Sequence, residues 1–149
     1  MLGHKILRRF AGLIAVFVAA AGAAQASASS APIVITYEKT CVGLVCTGTA
    51  GNGGTIVMHV DPTTFRATGN ARQFTTTEWI TVGDISFTAV MNAHRSPAGF
   101  IVLNGTVTED SDSFAGAQVH QRSNFDGLVG GDPSKTHWIG ELQLMPASG

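Results

Sequence analysis

The stretch "IVITYEKTCVGLVCTGTAGNGGTIVMHV", residues 33–60, alternates apolar and polar side chains on either side of two glycine-containing turns. Within each segment, every second residue is apolar. These residues are Ile33, Ile35 and Tyr37 in the first segment, and Ile56, Met58 and Val60 after the second turn. A period of two is typical of a β-strand with one buried face. This stretch therefore predicts neighbouring strands joined by tight turns.

The same pattern continues along the chain, at residues 71–82, 85–94, 99–108, 114–123 and 136–144. In the last segment, Trp138, Leu142 and Leu144 share a face with Gly140. The linking segments "VGD", "RSPAG", "EDSDS" and "VGGDPSK" are rich in turn-forming residues. Short strands with hairpin-length links predict an all-β domain, either a small antiparallel barrel of about eight strands or a β-sandwich. We favour the barrel because closure removes exposed strand edges.

Cys41 and Cys46 are the only cysteines and lie within six residues, in "CVGLVC". If Gly43 and Leu44 form a two-residue turn, the cysteines become cross-strand partners at a non-hydrogen-bonded position, where a disulfide fits. A redox pair or half of a metal site is less favoured, because redox motifs usually use a closer spacing and metal sites need further ligands. The sequence predicts a structural disulfide.

Residues 1–28 have the layout of a secretory signal peptide. Lys5, Arg8 and Arg9 precede an apolar run, and small residues then offer cleavage after Ala26 or Ala28. The run is too short for a transmembrane helix. We expect a secreted protein, extracellular or periplasmic, exported by the general route, with twin-arginine export as the alternative.

Residues 29–149 are long enough for one domain with its own core. After removal of the signal, six Lys and Arg residues face ten Asp and Glu residues, which gives a net charge of −4. A nucleic-acid-binding protein normally shows the opposite balance. The sequence after the signal contains no basic amphipathic stretch of the kind that associates with a membrane surface.

Catalytic and cofactor motifs are missing from the sequence. It contains no Gly-x-Ser-x-Gly, His-Glu-x-x-His or Walker motif. The histidines of the mature chain are far apart in sequence: His59, His94, His120 and His137. We expect no cofactor and no metal site, and histidines that lie separately on polar strand faces.

The segment "FAGAQVHQRSNFDG", residues 114–127, has two possible orientations. If Ala117 and Val119 face the core, then Gln118, His120 and Arg122 form the solvated side of the sheet. If those three polar residues face a barrel interior, His120 and Arg122 become candidate catalytic residues for acid–base chemistry and anion binding. Their candidate carboxylate partners are then Glu38, Glu78 and Glu141.

The "SFAGA" segment, residues 113–117, resembles the Phe-x-Gly-Ala segment in the late strands of the dirigent and allene oxide cyclase-like barrels. Phe114, Gly116 and Ala117 carry the resemblance, although the doubled Gly-x-Gly that typically precedes the segment is absent and Gln118-Val119 stands where a glycine often follows. The resemblance implies an eight-stranded antiparallel barrel whose apolar cavity binds or guides a hydrophobic small molecule.

Three functions follow from this reading. The favoured one is a non-catalytic binding module for a small apolar ligand or a surface partner, with candidate ligand-binding residues Phe87, Met91, Phe100, Gln118 and Trp138. A structural extracellular domain without a ligand is the second. The third is an isomerase-like or cyclase-like enzyme that uses His120 and Arg122, which the missing catalytic signatures disfavour.

Overall fold

A computed structural model describes residues 31–147 of the chain. The predicted signal segment, residues 1–28, lies outside this range. Among the described residues, no helix is both long and apolar enough to cross a bilayer.

Eight antiparallel strands follow one another around a closed barrel, as the sequence predicted, so the sandwich alternative does not apply. The strands are β1 (Ile33–Val42), β2 (Val45–Ala50), β3 (Thr55–Thr68), β4 (Ala71–Val82), β5 (Ile85–Arg95), β6 (Phe100–Val107), β7 (Gln118–Leu128) and β8 (Lys135–Met145). Short 3₁₀ turns occur at Asp112–Phe114 and Val129–Gly131. Each strand pairs with its predecessor, and β8 pairs with β1 along its whole length, from Ile33 opposite Leu144 to Val42 opposite Lys135.

The alternation in the sequence decides which side chains fill the barrel. Its inner face holds fully buried Ile56, Met58, Met91, Leu142 and Leu144. Burial of an apolar side chain of this size contributes about 2 kcal/mol to stability. The barrel interior is therefore the core of the protein.

Glycine at one inner position makes room for a large neighbour. Gly140 on β8 lies opposite Tyr37 on β1 and Ser123 on β7. A Cβ atom at Gly140 would lie 2.6 Å from the Cζ and Oη atoms of Tyr37, and closer still to the carbonyl oxygen of Arg122. The Tyr37 ring therefore enters the interior only because residue 140 has no side chain.

The predicted disulfide joins Cys41 and Cys46, which are directly paired across the β1–β2 hairpin. Their Cα atoms are 3.9 Å apart. Gly43 has a φ of +61° and Leu44 does not have a positive φ. A positive φ at the first central residue alone is what a type II′ turn requires. Both the predicted disulfide and the two-residue turn that allows it are confirmed.

The barrel has two distinct ends. The upper end, as we name it, carries the connections at residues 43–44, 69–70, 96–99 and 129–134, whereas the lower end carries those at 51–54, 83–84 and 108–117. The segment predicted as a strand at 114–123 starts later, at Gln118, and continues to Leu128. The 3₁₀ turn and a φ of +75° at Gly116 delay the strand, while Phe114 packs against Phe87 with ring centroids 6.2 Å apart.

Candidate functional site

A cavity of ≈180 Å³ lies inside the barrel at its upper end. Every strand except β5 contributes to its wall. The lining residues are Lys39, Cys41, Gly43, Leu44, Cys46, Val60, Phe74, Glu78, Ile101, Leu103, Gln121, Ser123, Thr136 and Trp138. An engineered apolar cavity of about 150 Å³ holds benzene, so this volume suits a molecule of about that size.

Buried polar side chains lie inside the barrel at the deep side of this cavity, and all of them except Tyr37 line it. They form what we call the interior polar cluster, composed of Tyr37, Lys39, Glu78, Gln121 and Ser123, and all five are buried. Each falls on the inner face by the two-residue alternation of its strand. The cluster is unusual because Lys, Glu and Gln are rarely fully buried without partners.

Lys39 has only weak partners within the barrel. Its ammonium nitrogen donates to the Sδ atom of Met58 at 2.9 Å and lies 4.9 Å from the centroid of the Tyr37 ring. A thioether is a weak acceptor, and a ring face replaces only part of the solvation of a cation. The neutral form of the amine is therefore more favoured at Lys39 than at a surface lysine.

Two buried acceptors in the cluster have no hydrogen-bond partner. They are Oε2 of Glu78 and Oε1 of Gln121, whose residues are 3 % and 1 % exposed. No ion pair joins Glu78 to Lys39, since the ion pairs among residues 31–147 are Lys135–Asp132 and His137–Asp126. A buried polar group without a partner costs about 1–3 kcal/mol, so such groups are functionally informative.

The neighbouring hydroxyl groups are better satisfied. The Tyr37 hydroxyl and the Ser123 hydroxyl share a hydrogen bond of 2.6 Å. Gln121 donates through Nε2 to Ser123 at 3.5 Å and to Met58 Sδ at 3.8 Å. These contacts hold the Gln121 amide, so that its Oε1 atom is the group left for another partner.

Burial shifts the protonation of the three titratable groups inside the barrel. Removal from water lowers the pKa of Lys39 from 10.5 to about 8, although the nearby Glu78 opposes this. The same desolvation raises the pKa of Glu78, against the effect of Lys39, and raises that of Tyr37, against its hydrogen bond with Ser123 and the nearby Gln121 amide. Burial thus favours the neutral forms of Lys39, Glu78 and Tyr37.

The outer part of the cavity is mainly apolar. Trp138 forms one wall, with its indole N–H donating to the Thr136 hydroxyl at 2.8 Å and its ring edge-on to Phe125 at 5.4 Å. Leu44, in the hairpin turn, lies at the rim and is exposed. The cavity therefore combines a polar floor with an apolar mouth, an arrangement common in small-molecule sites.

The ligand-binding residues predicted from the sequence are only partly brought together. Trp138 lines the cavity, whereas Phe87 and Met91 pack within the core. Phe100 and Gln118 are outside the barrel, where Phe100 stacks under the Arg122 guanidinium at 5.3 Å and Gln118 donates to Thr106.

His120 and Arg122 do not meet the condition set for a catalytic role. Both lie on the outer face of β7, where His120 contacts the Asn104 side chain, because Ala117 and Val119 take the inner positions. The same alternation turns Gln121 inward. Of their candidate carboxylate partners, only Glu78 is inside the barrel.

Other surface features offer less. Among residues 31–147, no group of three or more metal-ligating side chains, histidines included, is found. A larger groove of ≈520 Å³ lies mainly against the outward-facing side chains of β4, β5 and β6. It contains neither of the two unpartnered buried acceptors.

Sequence reasoning missed Lys39 as a site residue. The signal was present, since Lys39 shares its parity with Ile33, Ile35 and Tyr37 and so belongs to the inner face of β1. A charged residue that continues an apolar face is the pattern that identifies it.

No family model, no curated protein and no solved structure matches the chain.

Proposed function

We propose that the protein is a secreted β-barrel that binds one small, mainly apolar molecule in its upper-end cavity. The observation that carries this proposal is the pair of unpartnered acceptors, Glu78 Oε2 and Gln121 Oε1, at the floor of a cavity with an apolar mouth. A molecule with an apolar body and one hydrogen-bonding group suits both parts. The dirigent-like resemblance at Phe114, Gly116 and Ala117 also favours a barrel for a hydrophobic small molecule.

The two tryptophans of the chain allow a direct test of binding. Trp79 is exposed on the outer face, so a Trp79→Phe variant leaves Trp138, in the cavity wall, as the only indole. We expect benzyl alcohol, a neutral probe of suitable size, to change Trp138 fluorescence in a saturable way. Binding should also raise the unfolding temperature.

A matched pair of variants shows whether the cavity is the binding site. Val60→Phe fills the cavity, whereas Val90→Phe adds the same atoms to an exposed position on β5. In the Trp79→Phe background, the first should abolish the fluorescence change and the second should preserve it. No saturable change up to the solubility limit of the probe, or equal effects of both variants, would contradict the proposal.

Secretion is supported by the disulfide, which persists in oxidising compartments, and by the signal layout of residues 1–28. We expect protein recovered outside the cytoplasm of its host to begin at Ser27 or Ser29. Mass spectrometry of the denatured chain measures this directly. An intact chain that begins at Met1 would show that the segment is not cleaved.

A further inference from the structure

Lys39 differs in its surroundings from Lys135, the other lysine of the barrel. The sequence has three lysines, Lys5, Lys39 and Lys135, of which Lys5 lies in the predicted signal segment. Lys135 has a side chain that is 49 % exposed and pairs with Asp132 at the surface. Lys39 is 6 % exposed and lines the cavity.

We propose that Lys39 is the reactive amine of the cavity and captures a small aldehyde by forming a reversible imine. This inference rests on the proposed function, because the aldehyde must first enter the cavity. It defines the ligand class as a carbonyl compound with a compact apolar body. A neutral amine is the reactive form of a lysine toward a carbonyl group.

The environment of Lys39 suits such a reaction in two ways. Its nitrogen is held by a thioether and a ring face, so that no carboxylate or backbone carbonyl must be displaced before attack. Desolvation also lowers its pKa to about 8. Relative to a lysine of ordinary pKa, this increases the neutral fraction near neutral pH by about 300-fold.

The unpartnered acceptors fit the intermediates of imine formation. Addition of the Lys39 amine to the carbonyl carbon forms a C–N bond, and a proton moves from the nitrogen to the former carbonyl oxygen. The resulting hydroxyl is a donor suited to Gln121 Oε1. When the C–O bond breaks, the Glu78 carboxyl, whose protonated form is favoured by burial, supplies a proton to the departing water.

The product is a protonated imine in the cavity that the Glu78 carboxylate also lines. One water has left, and the step needs no oxidant and no reductant. Charge is conserved because the proton lost by Glu78 leaves with the water, while the imine nitrogen keeps one of its own protons. The iminium then carries its positive charge in the same cavity as the Glu78 carboxylate, so that two opposite charges replace two neutral groups.

The test uses benzaldehyde with cyanoborohydride, which reduces an imine to a stable benzylamine. The mature protein is treated at neutral pH, digested and mapped by mass spectrometry. We expect one benzyl group on Lys39, introduced on the order of 100-fold faster than on Lys135, which is the internal control. Excess benzyl alcohol should protect Lys39 and leave the labelling of Lys135 unchanged.

Two variants check the assignment. Lys39→Met should lose the fast labelling while it keeps the slow labelling of Lys135. Glu78→Gln should slow labelling of Lys39 by about tenfold or more, as expected for loss of a general acid. If Lys39→Met does not fold, the comparison of Lys39 with Lys135 in the unaltered protein still decides the question.

The outcomes separate this inference from the proposed function. If benzyl alcohol binds but Lys39 is labelled no faster than Lys135, the imine proposal is wrong and the binding proposal stands. Fast labelling that benzyl alcohol does not block would also overturn the proposal, because the reaction would not occur in the cavity. If the alcohol does not bind and Lys39 is not labelled, both proposals fail.

Discussion

Lys39 makes the stability of the protein depend on pH. Its pKa is about 8 in the folded barrel, against 10.5 for a lysine in water, so between these values the unfolded chain binds more protons than the folded one. Stability should therefore rise with pH in this window. Above about pH 10, Tyr37 has the opposite effect on stability. Burial raises its pKa, so the tyrosine loses its proton at a lower pH in the unfolded chain than in the folded barrel.

We expect the free energy of unfolding to increase by about 2 kcal/mol between about pH 8 and pH 10. Urea unfolding at several pH values, followed by circular dichroism, measures the change. Lys39→Met removes the titrating group and should remove this rise. A variant with the same slope as the unaltered protein would show that Lys39 is not the cause.

Gly140 offers a second prediction at the level of one residue. Gly140→Ala introduces a methyl group 2.6 Å from Tyr37, which should destabilise the barrel by about 1–3 kcal/mol. Gly54→Ala is the matched control, since its nearest contact is the Asn52 side chain at 3.2 Å and its φ is not positive. Equal unfolding midpoints in urea for the two variants would show that Tyr37 and the Arg122 carbonyl group both adjust without strain.

At the level of elements, the two-residue period predicted the strands better than their ends. Strand β4 begins and ends where the alternation does, at Ala71 and Val82. Strand β7 does not, because its second half, from Asn124 onward, includes a bulge between Phe125 and Gly127 that breaks the period. A bulge inserts an unpaired residue, and a pattern that counts by two does not detect it.

The β1–β2 hairpin is the element that the disulfide supports. Cys41→Ala combined with Cys46→Ala should lower the free energy of unfolding by about 2 kcal/mol, because the bond closes a short loop in the unfolded chain. Thermal unfolding with and without reductant gives the same comparison in one protein. A double variant as stable as the disulfide-bonded form would show that the hairpin turn alone fixes this element.

For the whole molecule, the sequence was sufficient to predict a closed barrel but not the contents of its cavity. The odd or even position of a residue in its strand assigns its side chain to the inner or the outer face. It does not give the distances between strands that are far apart in sequence. Lys39 and Glu78 lie on strands β1 and β4, which are not neighbours in the barrel. Only the closed fold shows that the two groups share one cavity, while His120 and Arg122 remain outside it.

Closure of the barrel by β1 and β8 also means that the order of the strands along the chain is not essential to the fold. Ile33 lies opposite Leu144, and neighbouring strands are about 5 Å apart, so a few glycines suffice to join residue 145 to residue 33. A circularly permuted chain that is opened between Gly69 and Asn70, at the β3–β4 turn, keeps every strand pair. We expect this permutant to fold and to retain the Trp138 response to benzyl alcohol, and the fluorescence titration described above measures it.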